Sequence, residues 1–181
     1  MAPGEEGHGI LERRWARPTL EVHGIAGGFT GPGGKTVIPA RATAKISMRL
    51  VPDQRPETVF RAFTRKVQRL TPAGLRSEVR LLNSSVPLAV PPDAPALRSA
   101  ARALEEVFGR APVYTRSGGS VPVAAAFQRV LGAVPVLMGF GLPDDNLHAP
   151  NEKLHLPNFH RGIETVIRFL QGLGDGGPSA S

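Results

Sequence analysis

The 181-residue sequence contains no cysteine. Disulfide bonds, thiolate metal ligands and a cysteine nucleophile are therefore excluded, and any metal would have to be held by imidazole and carboxylate groups. No apolar run is long enough to span a bilayer, and the first residues lack the basic and apolar regions of a signal peptide. We therefore expect a soluble, cytoplasmic protein that does not engage a membrane.

Aromatic residues are also scarce, with one tryptophan, one tyrosine and eight phenylalanines, and they do not form the aromatic sheet motif of RNA-recognition modules. The 22 Lys+Arg against 15 Asp+Glu give a formal charge of +7. The basic residues are scattered, and the densest group lies on the polar side of a predicted helix (Arg61, Arg65, Lys66 and Arg69). An arginine-rich proteome therefore explains the charge better than a nucleic-acid partner, and we expect no nucleic-acid binding.

Hydrophobic periodicity and breaker residues predict nine secondary-structure elements. In chain order they are a strand at 19–25, a strand at 42–51, a helix from Pro56, a strand at 77–82, a helix from Pro95 capped by Asp93, a strand at 113–116, a helix at 121–131, a strand at 134–140 and a helix from Pro157. The first half suggests an antiparallel α+β sheet with one helix, and the second half suggests the closing units of an α/β sheet.

Two of these elements have a clear apolar face that we expect to be buried. In the second strand the residues alternate, and the apolar set is Ala44, Ile46, Met48 and Leu50. In the last helix the inward set is expected to be Phe159, Ile163, Val166, Ile167 and Leu170.

The segment 143–152 places a histidine, His148, among carboxylates and carboxamides, directly after the apolar run 134–140. A metal-bound imidazole usually has its second nitrogen held by an acceptor, which neighbouring residues could supply (Asp144, Asp145, Asn151 and Glu152). Zinc sites need about three or four protein ligands, and no second segment has plausible ligand spacing. The sequence therefore predicts part of a metal site whose remainder lies elsewhere.

Several motifs then agree in order and spacing with a known family. Residues 18–52 contain Gly-Gly-Phe-Thr-Gly, Lys-Thr-Val-Ile-Pro and Ser-Met-Arg-Leu-Val-Pro in that order. This segment resembles the dimerisation (lid) domain of the M20 metallopeptidases, the group that contains carnosinase-type dipeptidases, acetylornithine deacetylase and carboxypeptidase G. The segments 116–122 (Arg-Ser-Gly-Gly-Ser-Val-Pro) and 144–153 resemble C-terminal catalytic-domain signatures of the same family.

The resemblance implies a combined α+β and α/β fold. A partial ferredoxin-like lid, an antiparallel sheet with a helix, is expected at 17–92 and lacks its first strand and helix. The C-terminal α/β segment of a zinc-peptidase catalytic domain is expected at 93–172, with a lead-in at 1–16 and a disordered tail at 173–181. A homodimer through the lid is also implied.

The resemblance also implies roles for five residues. His148 matches the histidine that completes a two-zinc centre, Arg49 matches the arginine that grips the substrate carboxylate, and Thr36 matches a threonine that contacts substrate. Gly119 and Ser120 match a turn that holds the substrate backbone. Each assignment has a structural alternative. For His148 it is a loop histidine with local hydrogen-bond partners, for Arg49 an exposed strand arginine, and for Thr36 a β-forming threonine. For Gly119 and Ser120 it is a turn that caps the following helix.

Three other histidines are not assigned a metal or catalytic role. His23 is interpreted as a strand residue, and His155 and His160 flank the start of the last helix.

The remaining parts of the family's machinery are missing from the sequence. The family reaction needs a His-x-Asp ligand pair and a Glu-Glu pair that supplies a general base and a ligand. No His-x-Asp occurs, and neither Glu5-Glu6 nor Glu105-Glu106 is a convincing base. The resemblance thus implies the C-terminal portion of a zinc peptidase for dipeptides or related N-acyl amino-acid amides. That portion would hold a partial zinc site at most, lack the N-terminal catalytic half and be inactive alone; a stand-alone dimerisation or binding module is the alternative.

Overall fold

The computed structural model describes residues 5–116 and 121–175. Within those ranges the elements are α1 (Ile10–Ala16), β1 (Thr19–Gly27), β2 (Ala42–Arg49), α2 (Pro56–Leu70), α3 (Pro95–Phe108), α4 (Pro122–Leu131) and α5 (Leu156–Asp175). The α+β fold class is confirmed, with one small antiparallel sheet and helices in the described chain. The chain divides into two compact units, one of Met1–Leu88 with Arg116–Ala125, the other of Ala89–Thr115 with Ala126–Ser181.

The first unit contains the antiparallel pair β1 and β2. Thr19 lies opposite Arg49 at one end, and Glu21 lies opposite Ser47. The register shifts between Val22 and Gly24, which leaves His23 as the extra residue of a β-bulge. His23 is therefore a strand residue, as the sequence predicted, and the bulge lies in the middle of the ladder.

The predicted buried face of β2 is wrong. Ala44 is exposed, Ile46 is 36% exposed and Met48 is only half-buried. The physical reason is that the predicted third strand at 77–82 does not form, so the sheet has two strands in the described chain. A two-stranded ladder without a covering layer cannot bury either face.

In the same unit, α2 forms where the sequence predicted it. Pro56 occupies the first turn, where its missing N–H costs nothing, and Glu57 follows at the positive end of the helix dipole. The apolar stripe of Val59, Phe63 and Val67 is half-buried.

The second unit is built on the contact between α3 and α5. The residues of α3 that are buried are small: Ser99, Ala100 and Ala103. The buried residues of α5 are Asn158, Gly162 and Thr165, spaced four and three apart. Small side chains on both helices allow the two axes to approach closely, as in other small-residue helix pairs.

The predicted inward face of α5 is therefore wrong. Phe159, Ile163, Val166, Ile167 and Leu170 are 46, 47, 40, 52 and 59% exposed. The helix has two faces with different chemistry, and the small, polar one is the buried one. The large apolar side chains are only partly covered within the described residues.

The predicted strands at 113–116 and 134–140 are also absent, although both segments are described. A strand exists only when a neighbour supplies the other half of its hydrogen-bond ladder, and no neighbour among residues 5–116 and 121–175 pairs with either segment. The predicted cap is wrong as well: Ala94 is the N-cap of α3 without a side-chain bond, and the Asp93 carbonyl accepts a hydrogen bond from the Arg98 guanidinium instead.

At the C-terminal end, α5 continues to Asp175, so residues 173–175 are helical. No helix in the described part of the chain is long and apolar enough to cross a membrane.

Candidate functional site

The loop between residues 141 and 153 carries the candidate metal ligand. Asn146, His148 and Asn151 have positive φ angles of 55°, 61° and 61°. Asn and His are among the few non-glycine residues that adopt this left-handed region with any frequency. The loop therefore turns several times over a short distance, and its turns leave the His148 side chain exposed.

Asp145 joins the two ends of this loop. Its side chain is 2% exposed, and its Oδ2 accepts a hydrogen bond from the Leu142 N–H at 2.6 Å. Its carbonyl oxygen accepts a bond from the Lys153 N–H at 3.0 Å. The other carboxylate oxygen, Oδ1, is buried and has no partner within the described chain. An acceptor in that state is suited to a donor that the described residues do not supply.

The neighbouring carboxylate, Asp144, has a different environment. It is exposed and forms a salt bridge with Lys153, whose Nζ lies 2.5 Å from Oδ2. The hydrogen bond from Lys153 lowers the pKa of Asp144 below its ordinary 3.8. The same bond raises the pKa of Lys153 above its ordinary 10.5. Because both groups are solvated, the bridge closes the loop from outside without a large contribution to stability.

This bridge gives a pH-dependent prediction. A depressed folded-state pKa means that the contribution of Asp144 is present above 3.8 and is lost as the pH falls through the lower, folded value. The raised pKa of Lys153 means that its contribution is fully present below 10.5 and is lost as the pH rises through the higher, folded value. Carboxyl-carbon NMR titration should give a midpoint for Asp144 below 3.8. In Lys153→Gln the midpoint should return toward 3.8, and an unchanged midpoint would show that the bridge does not form in solution.

The residues around His148 offer one possible metal donor. The His148 imidazole is a suitable zinc donor, but zinc centres take about three or four protein ligands. Across residues 5–116 and 121–175 there is no group of three or more His, Asp and Glu side chains that could hold an ion. The described residues therefore offer the His148 imidazole as a single candidate donor and no complete ligand set.

The other predicted site residues lie in the first unit or outside the described chain. Arg49 is exposed at the last position of β2. Thr36 is exposed in the loop between the strands, at the centre of a tight turn in which the Val37 N–H donates to the Lys35 carbonyl at 3.0 Å. Gly119 and Ser120 lie outside the described residues. His155 and His160 are exposed.

Sequence reasoning missed one polar group near Arg49. Glu21 accepts hydrogen bonds from the hydroxyls of Thr19 and Ser47. The sequence did indicate that Thr19 and Glu21 lie on the same face of their strand, because residues two apart on a strand share a face. What the sequence lacked was the register that places Glu21 opposite Ser47.

Comparison with known proteins identifies the class. Residues 2–172 match the model of peptidase family M20/M25/M40. The chain belongs to this family, and the resemblance found in its motifs is confirmed.

The relatives are dipeptidases. The chain is 36% identical over 169 residues to the Cys-Gly metallodipeptidase DUG1 of Candida albicans, covering 91% of this chain and 35% of the relative. It is 34% identical to the Beta-Ala-His dipeptidase of Homo sapiens, covering 89% of this chain and 32% of the relative.

Solved structures agree with these matches. The di-peptidase Dug1p of Saccharomyces cerevisiae superposes with a TM-score of 0.79 at 33% identity, covering 94% of this chain and 36% of that chain. Human carnosine dipeptidase 1 gives a TM-score of 0.77 at 33% identity, covering 92% and 36%. The chain thus spans about a third of the length of the relatives it matches.

Proposed function

We propose that this chain is the C-terminal portion of a zinc-dependent M20 peptidase that hydrolyses dipeptides or related N-acyl amino-acid amides, and that it is inactive alone. One observation carries the proposal: the family match extends over residues 2–172, yet the chain corresponds to about a third of the relatives' length. The relatives' names, Cys-Gly metallodipeptidase and Beta-Ala-His dipeptidase, support the substrate class.

Residues 17–92 act as the lid domain in this proposal, and residues 93–172 act as the C-terminal segment of the catalytic domain. Arg49 binds the substrate carboxylate, for which a guanidinium offers two parallel N–H donors. Thr36, Gly119 and Ser120 contact the rest of the substrate. The chain forms a homodimer through the lid and works in the cytoplasm.

His148 would hold one of two zinc ions, and Asp145 fixes the loop that carries this histidine. A two-metal centre polarises the scissile carbonyl and lowers the pKa of water. In this proposal the remaining ligands and the general base come from an N-terminal catalytic half, and the proposal is supported by relatives that are about three times as long as this chain.

The packing of the second unit supports the proposal that this chain is one portion of a larger peptidase. The large apolar side chains of α5 are exposed, and the apolar segment 134–140 has no ladder partner in the described chain. Asn158 at the start of α5 donates to the Phe140 carbonyl at 3.1 Å, so the segment and the helix are joined in one surface. An apolar surface of this kind is typical of a region that another part of the protein covers.

Isothermal titration of the purified chain with zinc tests the proposal, together with assays of Cys-Gly and β-Ala-His hydrolysis. We expect no turnover and no tight two-metal binding. A weak zinc signal should disappear in His148→Ala and persist in the control His160→Ala, since both histidines are exposed but only His148 is assigned as a ligand. Stoichiometric binding of two ions, or hydrolysis by the pure chain, would refute the proposal that the active site of this chain is incomplete.

A stand-alone dimerisation module is the second candidate. The two-stranded sheet leaves the outer edges of β1 and β2 unpaired within the described residues, and such edges favour pairing with another chain. The DNA upstream separates the candidates: an open frame that encodes His-x-Asp and Glu-Glu segments supports the peptidase, and its absence together with dimerisation in sedimentation experiments supports the module.

A further inference from the structure

Four polar residues share one face of the β1–β2 ladder. Thr19 pairs with Arg49, and Glu21 pairs with Ser47. Residues directly opposite each other share a face, and so do residues two apart on one strand. The four side chains therefore form a continuous polar patch that ends at Arg49.

Within this patch the Glu21 carboxylate is held in place by two neutral donors. The Thr19 hydroxyl donates to Oε1 at 2.6 Å, and the Ser47 hydroxyl donates to Oε2 at 3.1 Å. Neither donor carries a charge, and Glu21 has no salt bridge with another residue of the described chain. Each oxygen keeps a free acceptor site, because a carboxylate offers about four. Glu21 is thus an exposed, oriented negative charge.

Arg49 is the diagonal neighbour of Glu21 across the ladder. Diagonal neighbours lie about 7–8 Å apart, within reach of long side chains. A ligand bound here would meet a guanidinium and a carboxylate side by side. The matching ligand carries an anionic and a cationic group a few bonds apart.

We propose that Glu21 is a specificity-determining residue that favours dipeptides whose C-terminal residue has a cationic side chain. The inference rests on the proposed function, in which Arg49 binds the C-terminal carboxylate. With the carboxylate on Arg49, a lysine-like side chain extends toward Glu21, and its ammonium donates to the oxygen sites that Thr19 and Ser47 leave free.

The test is an NMR titration of the whole 181-residue chain with Gly-Lys and with Gly-Met, which has an unbranched neutral side chain. Gly-Lys should bind about three- to fivefold more tightly, the range expected for an exposed ion pair. In Glu21→Gln the two affinities should become equal while Gly-Met binding is retained. Glu57→Gln removes the same charge from the exposed start of α2 and should leave the preference intact.

The salt dependence of peptide binding distinguishes the proposed specificity role of Glu21 from a role in strand pairing alone. The preference for Gly-Lys should shrink as sodium chloride is raised, because exposed charges are screened, whereas a pairing role predicts no salt-dependent difference between the peptides. This readout also holds if Glu21→Gln perturbs the strand amides.

The remaining outcomes separate the two proposals. If both peptides bind equally and Arg49→Gln weakens both, the specificity role of Glu21 is overturned and the carboxylate site stands. If neither peptide shifts the Glu21 and Arg49 signals, or if Arg49→Gln changes nothing, the carboxylate site itself is overturned, and the specificity role with it.

Discussion

Replacing Gly162 with leucine is expected to destabilise the second unit by about 1–3 kcal/mol, the usual cost of overpacking a close contact. A Cβ at this position would lie 3.2 Å from Cδ2 and 3.3 Å from Cγ of the Phe140 ring. That ring stacks on Phe108 with centroids 6.3 Å apart, so it cannot move without disturbing α3. Urea denaturation followed by circular dichroism measures the change.

The matched control is Gly174→Leu in the same helix. Apart from its chain neighbours and the backbone of its own helix, no atom of the described residues lies within 4 Å of a Cβ built at Gly174. Leucine is a better helix former than glycine by roughly 0.5–1 kcal/mol, so this variant should be neutral or slightly stabilised. Equal destabilisation of both variants would mean that the contact with Phe140 does not limit the packing of α5.

Replacing Asp145 with alanine is the second change with a large expected effect. The Leu142 N–H would lose its acceptor, and an unsatisfied buried donor costs about 1–3 kcal/mol. Hydrogen exchange at the amides of Leu142 and Lys153 reports directly on the loop, and both amides should lose protection.

Asp144→Ala is the control for this change. It removes an identical side chain one residue away, but that carboxylate is exposed and forms its salt bridge with the Lys153 ammonium on the outer side of the loop. The Leu142 amide should keep its protection in this variant. If the two variants behave alike, the buried bond of Asp145 is not what orders the loop.

The helices were the part of the fold that the sequence predicted best. The bounds of α2 and α4 depend on proline in the first turn and on a local apolar period. Both signals lie within the helix itself, so no partner is needed to interpret them.

The burial of α5 could not be predicted in the same way. Its amphipathic pattern is clear, and the usual rule assigns the large apolar face to the core. In the described chain the residues that α5 buries are instead Asn158, Gly162 and Thr165, and a Cβ at Gly162 would meet the Phe140 ring. Which face a helix buries is decided by its neighbour, and that neighbour is not encoded in the helix. The strands predicted at 77–82 and 134–140 are absent for a similar reason, because a strand needs a pairing partner from another part of the chain.

The candidate site shows a similar limit. Its donor chemistry was visible in segment 143–152, but Asp144 and Asp145 are the same residue type in adjacent positions with opposite burial. Only the loop's hydrogen bonds distinguish them. The partnership of Glu21 with Ser47 likewise required the strand register.

The left-handed backbone at His148 restricts which substitutions can preserve a donor at this point. A residue with φ of 61° pays little strain if it is glycine, asparagine, aspartate or histidine, and more if it is glutamate or cysteine. Among side chains that bind zinc well, the turn thus admits imidazole or a short carboxylate. Replacing His148 with a longer acid would add backbone strain at this turn, so one dihedral angle limits which side chains can take the place of the proposed ligand.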